Sequence, residues 1–162
     1  MPIQYLSKVK RRELENKICL VRVDLNIENP REENALRIQA ILPTLKLLLK
    51  AKAKIILISH RGRPTKRDPK LSLKPFAPIL SKKLKTKVCF VEQLSRQSGI
   101  PQSAGQRERV QHSATLLENL RFHKGEEKND TTFAKKLASL ADIYINEAFA
   151  ASHRRHASIV AI

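Results

Sequence analysis

Apolar runs recur along the chain at short intervals, and two kinds alternate. "ICLVRVDL" (Ile18–Leu25) and "KIILIS" (Lys54–Ser59) are short, continuous and rich in β-branched residues, the pattern of strands covered on both faces. "VCFV" (Val88–Val91), "ATLLEN" (Ala114–Asn119) and "IYIN" (Ile143–Asn146) are further strands of the same kind. Between them lie segments of helical period. "NALRIQAILPTLKLLLKAK" predicts a helix interrupted or restarted at Pro43, where a proline fits a first turn. "SLKPFAPILSKKL" has Ser72 as candidate N-cap and an apolar stripe at Leu73, Phe76, Ala77 and Leu80, and "TTFAKKLASL" follows Asp130 as a second cap.

Strand and helix in alternation, with continuous apolar strands, predict an α/β fold: a parallel sheet with helices on both faces. Ligands of such sheets bind beyond the carboxyl ends of the strands, so chemistry is to be sought in the residues just past each one. Those residues are Asp24 and Asn26 after the first strand; His60, Arg61, Gly62 and Arg63 after the second; Arg121 and His123 after "ATLLEN"; and His153, Arg154, Arg155 and His156 after "IYIN". Arg37, near the start of the first long helix, can face the same edge. Each has a plainer reading: Asp24 and Asn26 suit an Asx turn, Gly62 a tight turn, His60 a satisfied loop histidine, and arginines fill the loops of any basic chain.

Composition changes the picture chiefly through charge. Lys and Arg number 32 against 15 Asp and Glu, a formal charge of +17, so the expected partners are anionic: phosphorylated metabolites, nucleic acid or an acidic surface. The 162 residues suit one domain, and 41% hydrophobic residues exclude a disordered chain. No stretch approaches the roughly 18 apolar residues of a membrane span, and the N-terminus has no apolar signal core, so the expected localisation is cytoplasmic, with no membrane partner. Cys19 and Cys89 lie inside apolar runs and read as reduced core thiols. His153 and His156 have a spacing found in some zinc sites but lack a convincing third ligand, so no metal is expected. There is no G-x-x-x-x-G-K-[ST] and no G-x-G-x-x-G among the four glycines, hence no visible cradle for nucleotide phosphates. No aromatic platform or groove-reading helix supports dedicated nucleic-acid recognition; binding there is expected to be non-specific and confined to low salt.

"VRVDLN", "SHRGRP", "SLKPFAPILSKKL", "LLENLRFHKGEEKNDTTFAKKLASLADIYINEAF" and "SHRRHASIV", in this order and spacing, resemble the N-terminal domain of the phosphoglycerate kinase family. The resemblance implies a Rossmann-like substrate domain over residues 1–162 of an enzyme that moves a phosphoryl group between 1,3-bisphosphoglycerate and ADP, giving 3-phosphoglycerate and ATP. It places Asp24 and Asn26 by the glycerate hydroxyl and Arg22 and Arg37 near the carboxyl. It adds His60, Arg63, Arg121, His153, Arg154 and His156 to the substrate site, and makes Arg37 the catalytic residue that stabilises charge on the transferring phosphoryl. Mg-ADP or Mg-ATP would be held by a C-terminal domain that this chain lacks, so none is expected here. The isolated chain is then a glycerate-binding half without activity, to which a separate nucleotide domain could dock. A non-catalytic triose-phosphate-binding module is the other reading. Against the family pattern, Arg61 and Arg155 add charge beside the site, and Glu147, Ala150 and Ala151 alter the loop after the last strand. Residues 93–113 lack the expected helical pattern and read as an irregular excursion.

Overall fold

The computed structural model describes residues 4–29, 35–92 and 113–162. The segment from 93 to 112, read as an excursion, lies outside the described residues. A single helical turn, α1 (Arg11–Leu14), precedes β1 (Ile18–Arg22), α2 (Leu36–Lys50), β2 (Lys54–Ile58), α3 (Phe76–Leu84), β3 (Val88–Val91), β4 (Ala114–Leu117), α4 (Lys124–Glu127), α5 (Thr131–Ala138) and β5 (Ile143–Asn146). The five strands make one sheet in the order β3-β4-β2-β1-β5, and every neighbouring pair is parallel. β1 sits between β2 and β5, with Leu20 opposite both Ile56 and Tyr144.

The period of two sorts each strand's side chains into two cores. Cys19, Val21, Ile55, Leu57 and Leu116 point to one face, where α2 and α3 cover them with Ile38, Ile41, Leu45, Phe76 and Leu80. Ile18, Leu20, Ile56, Ile58 and Leu117 point to the other, against Leu137 and Leu140 from α5 and its C-terminal end. Helices therefore cover both faces, which is why the strands carry no polar alternation.

The helix starts and stops show where local signals prevailed. Asp130 caps α5, its Oδ1 accepting from the Phe133 amide at 2.7 Å. Ser72 does not cap α3 directly: its Oγ accepts from the Lys74 amide and donates to Glu118, and the helix begins only at Phe76. The expected break at Pro43 does not occur, because α2 runs unbroken from Leu36 to Lys50. An interior proline costs about 3 kcal/mol. Four fully buried side chains on that helix, Ile38, Ile41, Leu45 and Leu48, each contribute about 1.5–3 kcal/mol, so burial outweighs the lost amide. Both cysteines are free thiols; Cys19 is buried, and burial pushes its pKa up to about 11, whereas Cys89 is only half-buried. No helix among the described residues is long and apolar enough to cross a membrane.

Candidate anion-binding site

Because all strands run the same way, their carboxyl ends share one edge. The register sets Arg22 of β1 opposite both Ile58 of β2 and Asn146 of β5. The loops that leave this edge are stitched to one another by three short polar side chains. Ser59 Oγ accepts from the Leu25 amide at 2.9 Å and donates to the Val23 carbonyl at 2.8 Å. Asn26 Oδ1 accepts from the Gly62 amide at 2.8 Å, across 36 residues of sequence. Asn119 is fully buried; its Oδ1 accepts from the amides of Arg61 and Arg121, and its Nδ2 donates to the Arg61 and Leu71 carbonyls. Gly62 sits at φ +64°, a left-handed conformation that favours glycine, and a Cβ there would stand 2.8 Å from a terminal methyl of Leu71, which would have to shift.

Asp24 holds two of the expected residues in place. Its Oδ1 accepts from the Asn26 amide at 3.0 Å, the Asx turn anticipated for this pair, while its Oδ2 receives Arg37 Nη1. Arg37 reaches over from the first turn of α2, and its side chain keeps 46% of its surface exposed. A half-exposed guanidinium anchored by one arm has further donors left for an anion.

Arg22 behaves differently. It has no exposed surface, and its donors go to Ser158 Oγ at 3.0 Å, the Val23 carbonyl at 2.9 Å and His60 Nδ1 at 2.9 Å. It therefore meets the rim through His60 rather than directly. His60 is itself buried, and burial together with the positive charges of Arg22, Arg121 and Arg154 lowers its pKa to about 3. The imidazole is neutral at physiological pH. Behind Arg22, Ser158 donates from Oγ to Glu126 Oε1 at 2.5 Å and from its amide to Oε2 at 3.0 Å, and its carbonyl accepts from the Tyr144 hydroxyl at 2.5 Å. Burial raises the Tyr144 pKa.

Around this floor stand the other basic groups. Arg121 is buried, with Nη1 on the Gly62 carbonyl and Nε 3.1 Å from Glu127 Oε1, an ion pair whose angle does not make it an aligned hydrogen bond. Its pKa is lowered by burial, against the opposing pull of Glu127. Arg154 is half-buried and close enough for its charge to bear on Arg22, His60, Arg121 and His156. Arg63 is exposed, acts electrostatically on Arg121, and makes no hydrogen bond or ion pair among the described residues. His156 lies with Nδ1 3.9 Å from Glu126 Oε1, and burial lowers its pKa in spite of that carboxylate. His153 and Arg155 are exposed.

Arg61 departs from expectation. Instead of adding charge beside the site, its guanidinium turns into the loop, donating to the carbonyls of Ile27 at 2.8 Å, Lys70 at 2.7 Å and Glu28 at 2.5 Å and lying over the Phe76 ring. Bonds to three carbonyls compensate the guanidinium for leaving water in that position. His123 also leaves the site, stacking on Phe133 with ring centroids 5.1 Å apart. Glu147 faces α2, where its Oε1 accepts from the Thr44 hydroxyl at 3.0 Å. Asn119, Glu126, Tyr144 and Ser158 were not singled out from sequence, although all four lie inside the motifs that carried the resemblance. Among the described residues no group of three or more His, Cys, Asp or Glu is placed to hold a metal ion.

The sequence model of the phosphoglycerate kinase family matches residues 9–162. The phosphoglycerate kinase of Wolbachia pipientis wMel is 47% identical over 161 residues, covering 95% of this chain and 38% of that protein. That of Leptospira biflexa serovar Patoc is 45% identical over 156 residues, covering 94% and 39%. Among solved structures, the phosphoglycerate kinase from Coxiella burnetii superposes with a TM-score of 0.81 at 36% identity, over 99% of this chain and 39% of that one. The chain thus spans somewhat over a third of the length of the relatives it matches.

Proposed function

The chain belongs to the phosphoglycerate kinase family, and on that premise we propose that residues 1–162 form the glycerate-binding domain of such an enzyme, taking 3-phosphoglycerate or 1,3-bisphosphoglycerate at the carboxyl edge of the sheet. One observation carries the reading: basic side chains from four separate segments converge on that edge above a neutral, buried His60. A triose phosphate is anionic at both ends and needs several forked donors at fixed spacing. Arg37, Arg63, Arg154 and His153 are the groups with surface left to meet it, while Arg121 and His60 form the wall behind them. Asp24 offers a carboxylate acceptor and Asn26 its side-chain Nδ2 for the glycerate hydroxyl, the Asn26 backbone amide and Oδ1 being already engaged.

Phosphoryl transfer requires little covalent help and much positioning and charge neutralisation, and Arg37, with its uncommitted donors, is the group we assign to the transferring phosphoryl. Mg-ADP or Mg-ATP would supply the other reactant, but the described residues do not fit it. A Cβ at either described glycine would meet a neighbouring side chain at 2.8 Å, Leu71 at Gly62 and Phe133 at Gly125, so neither opens a backbone cradle for phosphates. We place nucleotide binding on the part of the relatives' length that this sequence does not span, and derive no transfer step on these residues.

Calorimetry with 3-phosphoglycerate tests the reading. Replacement of Arg37 by alanine should cost about 1.5–3 kcal/mol of binding, as expected for a charge-assisted bond. The chain by itself should show no turnover in a coupled assay. Equal affinity of the two proteins, or turnover by the chain alone, would remove the assignment.

A further inference from the structure

Beneath the rim, residues far apart in sequence form one continuous polar chain with no exposed member. Glu126 from α4 and Arg22 from β1 are both 0% exposed, and Ser158 bridges them, accepting from Arg22 Nε and donating to Glu126. At its other end Arg22 Nη2 meets His60 Nδ1 at 2.9 Å. A guanidinium has donors and no acceptor, so Nδ1 must be the nitrogen without a proton. The imidazole proton is thereby confined to Nε2. A protonated imidazole would set one N–H against another, so the same contact disfavours the cation.

We propose that Glu126, Ser158 and Arg22 are a relay of positioning residues that holds the proton of His60 on Nε2, so that His60 meets a bound anion as a neutral imidazole with a single fixed donor. Two features of the structure make the relay specific. Ser158 leaves Arg22 no freedom to turn away, since Nε, Nη1 and Nη2 each have a separate acceptor. Glu126 supplies the buried negative charge that a buried guanidinium needs, and two bonds from Ser158 hold it. The other charged and titratable groups facing His60 are Arg121, from the turn after β4, and Arg154 and His156, from the last loop; all oppose a second proton on the ring. That the anion is a glycerate phosphate rests on the function proposed above, but the state of the ring does not.

The test is a long-range nitrogen–proton correlation spectrum of the 15N-labelled chain, between about pH 5 and 8, with the His60 signals assigned by their loss in His60→Gln. The expected result is a single Nε2–H tautomer that does not titrate across that range. Replacing Arg22 with methionine should release the ring to a mixture of tautomers, with its titration shifted up towards the ordinary value of about 6.5. Should that variant fail to fold, Ser158→Ala removes only the bridging hydroxyl and should also populate the second tautomer. A proton on Nδ1, a protonated ring in the wild-type chain, or an unchanged ring in Ser158→Ala would overturn the relay. Titrating 3-phosphoglycerate into the same samples reports separately on the binding reading: a locked tautomer without binding would keep the relay and remove the ligand.

Discussion

Arg61 and Arg63 stand two residues apart in one loop and do opposite things. Arg61 is 7% exposed and gives its donors to three backbone carbonyls from two segments, whereas Arg63 is exposed and gives them to nothing among the described residues. Arg22 and Arg37 repeat the contrast at the first strand, one sealed beneath the site and the other half-open above it. The same side chain is a brace where it is buried and an arm with donors to spare where it is not. A buried guanidinium must use most of its donors to be tolerated, and a donor so used is unavailable to a substrate.

The strongest way to break this contrast is to remove a brace. Arg22→Ala strands the buried Glu126 carboxylate without its compensating charge, and loss of one partner of such a buried system costs about 3–5 kcal/mol. Urea unfolding should show a loss of that order, and a loss below about 1 kcal/mol would mean that water reaches the relay.

Next in size is a crossed comparison within the loop. Arg61→Met leaves the Ile27, Glu28 and Lys70 carbonyls without their donor, at about 1–3 kcal/mol for each acceptor that water does not recover. Its effect should fall on stability. Arg63→Ala should leave stability within about 0.5 kcal/mol and lower 3-phosphoglycerate affinity instead. If both variants lose the same property, the division between brace and arm is wrong.

The smallest effect, counted per pH unit, comes from acidification. The folded pKa of His60, about 3, lies below its unfolded value, so the unfolded chain binds the proton more readily. The stability from keeping the ring neutral is complete above about pH 6.5 and is lost progressively as pH falls from there towards the folded value. One such group contributes a slope of up to about 1.4 kcal/mol per pH unit. His123 and His156, also lowered by burial, add in the same direction. His60→Gln keeps an acceptor for Arg22 while removing the titration, so its stability profile should be flatter by about one proton. An unchanged slope would place the acid sensitivity in the other two histidines.

Much of this architecture is legible along the chain. Each strand is a short apolar run, and the cap at Asp130 is local, because the Asp130 side chain and the Phe133 amide are three residues apart. The collection of site residues at one edge also follows from sequence, since parallel strands must bring their carboxyl ends together. What is not legible is which way each of those side chains turns. Pro43 reads as a break because local rules count the missing amide and not the four side chains buried beneath that helix. Arg61 reads as rim charge because nothing nearby in sequence shows that Ile27 and Glu28 would present carbonyls to it from 34 and 33 residues away.

The same reason separates what the amino-acid sequence determines from what only the tertiary structure decides. Periodicity and motif spacing settle the α/β class, the parallel sheet and the edge at which the candidate site residues collect, because these rest on interactions within a strand or a helix turn. Arg22 and Ser158 are 136 residues apart and Ser158 and Glu126 are 32, so the relay exists only once β1, α4 and the helical turn Ala157–Ala161 have closed on one another. Burial then sets the chemistry. It turns one histidine into a neutral donor, two arginines into braces and leaves two others as arms, from residue types that the sequence alone presents as equivalent.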